Sequence, residues 1–249
     1  MIKNTKVNAA ILIIGNEILS GRTQDTNTST LAVWLNSIGV KVTQVRVVPD
    51  EEKIIVEALN ILRKTFNYVF TTGGIGPTHD DITAQAVSKA FNRKYEVHKD
   101  AFKILESYYK PGEFNEGRQK MIWMPRNAKL ILNPTSGAPG FSVENVYCLP
   151  GVPSILKSML GGIKNKIVGG EPILSHTISL RTVESEIANS LTKVQERNKD
   201  VEIGSYPFFQ AGKLGVSIVI RSEDQSKIDI CNSQILEFVS KKKIEIVER

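Results

Sequence analysis

The sequence predicts an α/β protein: a mostly parallel sheet with helices on both faces, followed by a small second domain of the α+β class. Three observations carry this expectation. Short β-branched runs alternate with longer helical patterns through the first half of the chain. The first of these runs, residues 9–14, is continuously apolar, as a parallel strand buried on both faces must be. A glycine-rich segment directly follows the third run, at the position where open α/β sheets collect their ligands.

Each element follows from a local pattern. After the strand at 9–14, residues 28–37 read as a helix with Asn27 as its cap and Leu31, Trp34, Leu35 and Ile38 on one face; Gly39 ends it. Residues 41–48 alternate as a strand. Pro49 and Asp50 then open a helix over 51–66, where Ile54, Ile55, Ala58, Leu59 and Leu62 recur at helical spacing and acidic side chains occupy the first turn, as the helix dipole favours. Residues 68–72 form the third strand, and the glycine-rich loop feeds a helix over about 82–91. Strand, helix, strand, helix, strand describes a right-handed, mostly parallel arrangement.

Residues 99–124 read as two further helices, 129–132 and 146–149 as strands bracketing a loop over 133–141, and 154 to about 168 as a helix. Gly169, Gly170, Glu171 and Pro172 make the best linker in the chain. Beyond it, strands at 174–180, 201–205, 214–220 and 244–247 and helices at 183–199 and 225–239 follow the β-α-β-β-α-β order of a split βαβ sandwich. Two domains are expected, 1–170 and 173–249, with no internal repeat.

Composition narrows the function classes. The 249 residues are 41% hydrophobic, with 18 glycines, 10 prolines and 2 cysteines, which excludes collagen-like, disulfide-scaffold and disordered classes. Of the 32 basic and 26 acidic side chains, 21 and 15 lie in residues 1–172 and 11 of each in 173–249, so the whole excess of 6 belongs to the first domain. An anionic partner, either a phosphorylated small molecule or nucleic acid, fits that excess, as does a solubilising surface. Cys148 and Cys231 sit in apolar surroundings without CxxC spacing and read as reduced core residues of a cytoplasmic protein. The apolar run at 9–14 falls far short of the roughly 20 residues needed to cross a bilayer, and it lacks the flanks of a signal peptide.

The segment TTGGIGPTHDDIT, residues 71–83, is the most informative. Glycines after a buried strand let the backbone turn tightly and approach a ligand, and a following helix start offers partial positive charge; the geometry suits phosphate or pyrophosphate. Asp80 and Asp81 would alone repel an anion. They make sense if they hold a divalent cation that bridges to phosphate, or if one positions a water; the plain alternative makes the glycines a turn and the two aspartates helix caps. Other polar loops converge on the same edge: Gly15 to Gly21 with Glu17, Asp50 after the second strand, the 133–141 loop with Ser136 and Gly137, and the turn bearing Pro150 and Gly151.

Four motifs, GNEILSG, TTGGIGPTHDDIT, NPTSGAPGF and LPGVPSIL, resemble in order and spacing those of the molybdopterin-binding domain superfamily. The match spans about residues 8–160 and looks like the branch found in the amino-terminal part of the competence/damage-inducible CinA proteins and of eukaryotic FAD synthases. Residues 173–249 are similar to the small KH-like middle domain of CinA. The resemblance implies site roles for Asp50 and Asp81, which match the aspartates of molybdopterin adenylyltransferases. The basic residue usual before the final aspartate in those enzymes is here Asp80. Paired aspartates are instead typical of the CinA and FAD synthase branch, which implies metal-dependent pyrophosphatase activity on ADP-ribose or FAD with cobalt, magnesium or manganese and possible activation by potassium. The carboxy-terminal deamidase domain of full-length CinA is not matched, so nicotinamide mononucleotide deamidation is expected to be absent. The resemblance also implies a homo-oligomer.

The expected chemistry has Asp81, Asp80 and Asp50 as catalytic groups, with Asp81, Asp80 and Glu17 as metal ligands. Thr72, Gly73, Gly74, Gly76, Gly15, Glu17, Asn27, Ser136, Gly137, Pro150 and Gly151 are the expected contacts to substrate or phosphate. Three readings compete: a nucleotide pyrophosphatase, an adenylyltransferase-type protein acting on molybdopterin, and a non-catalytic module binding such a ligand. The partner is expected to be a nucleotide or pterin, with neither nucleic acid nor membrane involved, because no aromatic-interleaved basic stretch is present.

Overall fold

The computed structural model describes residues 7–210 and 212–247. The chain divides between Gly170 and Glu171 into two compact units. In the first, β1 (Val7–Ile14) leads through the one-turn helix α1 (Asn16–Leu19) to α2 (Asn27–Ser37), β2 (Val40–Val48), α3 (Glu52–Thr65), β3 (Tyr68–Thr72) and α4 (Thr83–Ala90). A two-stranded antiparallel sheet, β4 (Tyr95–Val97) with β5 (Trp123–Pro125), brackets α5 (Lys99–Tyr108) and α6 (Glu116–Gln119) in sequence. Then come β6 (Lys129–Ile131), β7 (Gly140–Val143), β8 (Val146–Leu149) and α7 (Pro153–Met159).

Six of these strands form one sheet in the order β2-β1-β3-β8-β7-β6. The first four are mutually parallel, and β7 and β6 extend the sheet antiparallel. Alternate residues of β1 face opposite layers, which explains its unbroken apolar run. Ala10, Leu12 and Ile14 pack with Ile55, Leu59 and Leu62 of α3 and Val87 of α4, while Ala9, Ile11 and Ile13 pack with Leu31 and Leu35 of α2 and Leu156 and Met159 of α7. The mostly parallel sheet with helices on both faces is therefore observed.

Several local expectations are corrected. Residues 140–143 belong to β7 and not to the preceding loop. The helix expected to run to about 168 stops at Met159 and continues only as 3-10 turns, since Gly161 and Gly162 weaken helix propagation. Residues 95–97 and 123–125 pair as a separate two-stranded antiparallel sheet, so the expected helical stretch ends before 123. The end of the unit is held against the turn before β2: the Gly170 amide donates to the Gly39 carbonyl at 2.9 Å, and a Cβ on Gly169 would fall 1.6 Å from the Ile38 carbonyl oxygen.

The second unit consists of β9 (Leu174–Leu180), α8 (Glu184–Arg197), β10 (Glu202–Gln210), β11 (Lys213–Ser222), α9 (Gln225–Lys241) and β12 (Ile246–Val247), with sheet order β10-β11-β9-β12. Its apolar residues, among them Ile178, Leu180, Val216, Ile218 and Ile220, join Ile187 of α8 and Ile228 and Ile235 of α9 in one cluster. Ser179 and Ser217 occupy the alternate positions and hydrogen-bond to each other at 3.1 Å.

Candidate functional site at the C-terminal edge of the parallel strands

The four parallel strands end in loops tied to one another. The Gly15 amide donates to the Val48 carbonyl at 3.1 Å, joining the loop after β1 to the end of β2. The Gly73 amide donates to the Leu149 carbonyl at 3.1 Å, joining the glycine loop to the end of β8. Both amides are consumed in this way, so Gly15 and Gly73 serve the site by their lack of a side chain and not as phosphate donors. Gly73 has φ 97°, and a Cβ there would sit 2.1 Å from the Ile14 carbonyl oxygen. Gly74 has φ 67° and lies against Thr83, whose hydroxyl donates to the Gly73 carbonyl at 2.9 Å and whose amide donates to the Gly74 carbonyl at 2.9 Å. Only glycine meets both the conformation and the space. Thr72, buried at the end of β3, precedes this turn.

The rest of the loop wraps around Asp81. Its Oδ2 accepts from the Thr78 amide at 2.8 Å and from the Thr78 hydroxyl at 2.5 Å, and a Cβ at Gly76 would meet the same oxygen at 2.7 Å. Asp80 is exposed. Across the edge, Asp50 Oδ2 accepts from the Asn16 amide at 2.8 Å and so fixes the start of the loop that carries Glu17. The Glu17 carboxylate folds over Gly15, within 2.5 Å of where a Cβ would stand. Among the described residues, no three His, Cys, Asp or Glu side chains come together as a metal-binding group. Asp80, Asp81 and Glu17 are thus not one preformed three-acid site.

Asn27 is not the helix cap. Thr26 holds that position, and the Asp25 carboxylate accepts from the Asn27 and Thr28 amides at 2.9 and 3.3 Å. This frees the buried Asn27 side chain, whose Nδ2 donates to the Gly151 carbonyl at 2.8 Å, while its Oδ1 is buried without a partner. A Cβ on Gly151 would lie 3.5 Å from Gly73 Cα, so Asn27, Gly151 and Gly73 form a continuous wall, with half-buried Pro150 leading into it. Ser136 and Gly137 are engaged elsewhere: Asn133 Nδ2 donates to the Ser136 hydroxyl at 2.7 Å, and Gly137 packs on the Tyr108 ring. His79 is exposed, and His98 caps α5 by accepting from the Ala101 amide at 3.3 Å.

Three further residues at this edge were not singled out by the sequence as site residues. Thr78 and Thr83 look like ordinary loop residues, yet they orient Asp81 and close the turn. Lys120 reaches the loop from 42 residues away, its ammonium donating to the Thr78 carbonyl. It lines a recess with Gly74, Gly76, Asp81, Tyr95 and Trp123.

The family model described as "Probable molybdopterin binding domain" matches residues 10–176. The chain belongs to the molybdopterin-binding domain family. A second model, the middle domain of FAD synthase, matches residues 172–248. The domain order is thus a molybdopterin-binding domain followed by an FAD synthase middle domain. A protein of Archaeoglobus fulgidus is 34% identical over 234 residues, covering 94% of this chain and 98% of its own. One from Pyrococcus abyssi is 32% identical over 258 residues, with 96% and 98% covered. The solved structure of a Thermoplasma acidophilum protein named CinA, of unknown function, is 32% identical with a TM-score of 0.61, spanning 66% of this chain and 99% of that one. In this molybdopterin-binding domain no helix among the described residues is long and apolar enough to cross a membrane.

Proposed function

We propose that the first unit is a divalent-metal-dependent nucleotide pyrophosphatase acting on ADP-ribose- or FAD-class substrates. The observation that supports it is the pairing of Asp80 and Asp81 on a glycine loop at the C-terminal edge of a parallel sheet. An anion-binding loop gains nothing from two carboxylates unless a cation accompanies the anion. The donor set fits a hard cation shared between Asp80, Asp81 and substrate phosphate oxygens, since magnesium-type ions commonly use one or two carboxylates plus phosphate. When bound, such an ion offsets the charge that develops on phosphorus during hydrolysis.

The chain's own groups supply the rest. With Gly73 committed to Leu149, the amides of Gly74 and Gly76 are the loop's donors to phosphate. Glu17, after β1, and Asp50, after β2, are the carboxylates available to take the proton of the attacking water. The water oxygen bonds to the adenosine-side phosphorus, the bridging oxygen leaves with the second phosphate, and AMP is released. The family match supports binding of a molybdopterin-type ligand, and a second reading of the site is adenylyl transfer to such a pterin.

The test is to incubate the protein with ADP-ribose, FAD or NADH plus cobalt, manganese or magnesium, with and without potassium, and to follow AMP. Release that requires the divalent ion and falls at least about 100-fold in Asp81→Ala is expected. An unchanged rate in that variant, or no release with any ion, overturns the proposal. AMP transfer from ATP to a pterin dithiolene would establish the second reading.

A further inference from the structure

Lys120 opens the 3-10 segment Lys120–Ile122 that links α6 to β5. Its ammonium donates to the Thr78 carbonyl, and Thr78 gives both its amide and its hydroxyl to Asp81. α6 supports the same loop, because a Cβ at Gly117 would lie 3.7 Å from the Pro77 carbonyl oxygen. An ammonium has three donors, and the Thr78 carbonyl takes one. In the recess that Lys120 shares with Gly74, Gly76 and Asp81, no other lining residue is a lysine or arginine. Tyr95 and Trp123, with ring centroids 5.6 Å apart, complete its wall.

We propose that Lys120 contacts the second phosphate of a nucleoside diphosphate, and so makes the site prefer diphosphates over monophosphates. The inference rests on reading the glycine loop as a phosphate site. Pinning Thr78 and pairing with phosphate are compatible roles for one lysine, whose head group is a compact point charge on a flexible stem. Charge-assisted contacts of this kind are worth about tenfold or more in affinity.

Calorimetric titration of the full chain with AMP and with ADP, in the presence of magnesium, separates the roles. The wild type is expected to bind ADP about tenfold more tightly than AMP, and Lys120→Gln to bring that ratio to about one while AMP affinity stays within about threefold. Lys120→Arg should retain the preference. An equal loss for both ligands would mean that Lys120 only braces the loop, and no loss in either, or no binding of either by the wild type, also overturns the proposal. Lys120→Met takes the place of Lys120→Gln if the latter lacks a cooperative melt. The hydrolysis assay keeps the two ideas apart. A Lys120-dependent ADP preference without AMP release sinks the pyrophosphatase alone, whereas AMP release with unaltered kcat and KM in Lys120→Gln sinks the lysine's role alone.

Discussion

The sheet of the first unit is packed on both faces, whereas β11 of the second carries its fully buried large side chains, Val216, Ile218 and Ile220, on one. In β1 every position from Ala9 to Ile14 is buried apolar; in β11, Val216, Ile218 and Ile220 alternate with Ser217, Val219 and Arg221. The difference decides where loops can gather. Parallel strands covered on both faces must send their connections over the two ends, so several strand ends meet at one edge and their loops can share a ligand. A hairpin such as β10–β11 returns the chain within a few residues and adds nothing to such a convergence. The charge excess follows the same division, since residues 1–172 hold all of it.

The largest test of this contrast is Phe70→Ala. Phe70 is fully buried in β3, stacked on Tyr147 at 5.2 Å and edge-on to Trp34 at 6.1 Å. Its removal should cost about 3–5 kcal/mol. Amide hydrogen exchange should accelerate in β3 and β8 while β9 and β11 keep their protection. Equal acceleration in both sheets would show that the two units do not melt separately.

A smaller effect is expected at the turn that makes the edge usable. Gly73→Ala combines a positive φ with a clash against the Ile14 carbonyl, and should destabilise by at least about 2 kcal/mol in chemical denaturation while abolishing nucleotide binding. Gly21→Ala has a similar φ of 72° but open space around it, so only the backbone term of about 1 kcal/mol should appear. Matching losses would mean that the close approach to β1 contributes nothing.

At neutral pH the smallest effect belongs to the two thiols, whose contribution changes only in alkaline solution. Burial pushes both Cys148 and Cys231 up, Cys148 from 9.0 to about 12. In the unfolded chain the Cys148 thiol loses its proton near the ordinary value, while in the folded chain it keeps it. Its stabilising contribution is therefore complete below pH 9 and is lost as pH rises toward 12, with a limiting slope of about 1.4 kcal/mol per pH unit. Denaturation curves of wild type and Cys148→Ala should diverge in slope within that window; parallel curves would contradict it.

The long elements of both units were legible because their patterns repeat. The helix α3 shows four buried positions at helical spacing, and β1 an unbroken apolar run. β4, β5 and β7 were missed: strands of three or four residues display no period, and the equally short β6 and β8 were legible only as apolar runs on either side of a polar loop. At the edge, the glycine loop and its two aspartates were visible because glycine and acid types stand out locally. What a donor is already bonded to cannot be seen that way. The Gly73 amide, spent on Leu149, and the Asn27 side chain, turned to Gly151 across 124 residues, depend on which strand lies beside which. Lys120 depends on the path of α6, which no periodicity announces.

The clasp at the end of the first unit has a practical meaning for anyone dissecting this protein. Because the Gly170 amide closes on Gly39 and Gly169 lies where any side chain would strike the Ile38 carbonyl, an excised first unit cut before Gly169 would lose this fastening. A vector boundary placed after Gly170, with both glycines kept unmutated, preserves the seam that ties off the fold before the chain goes on.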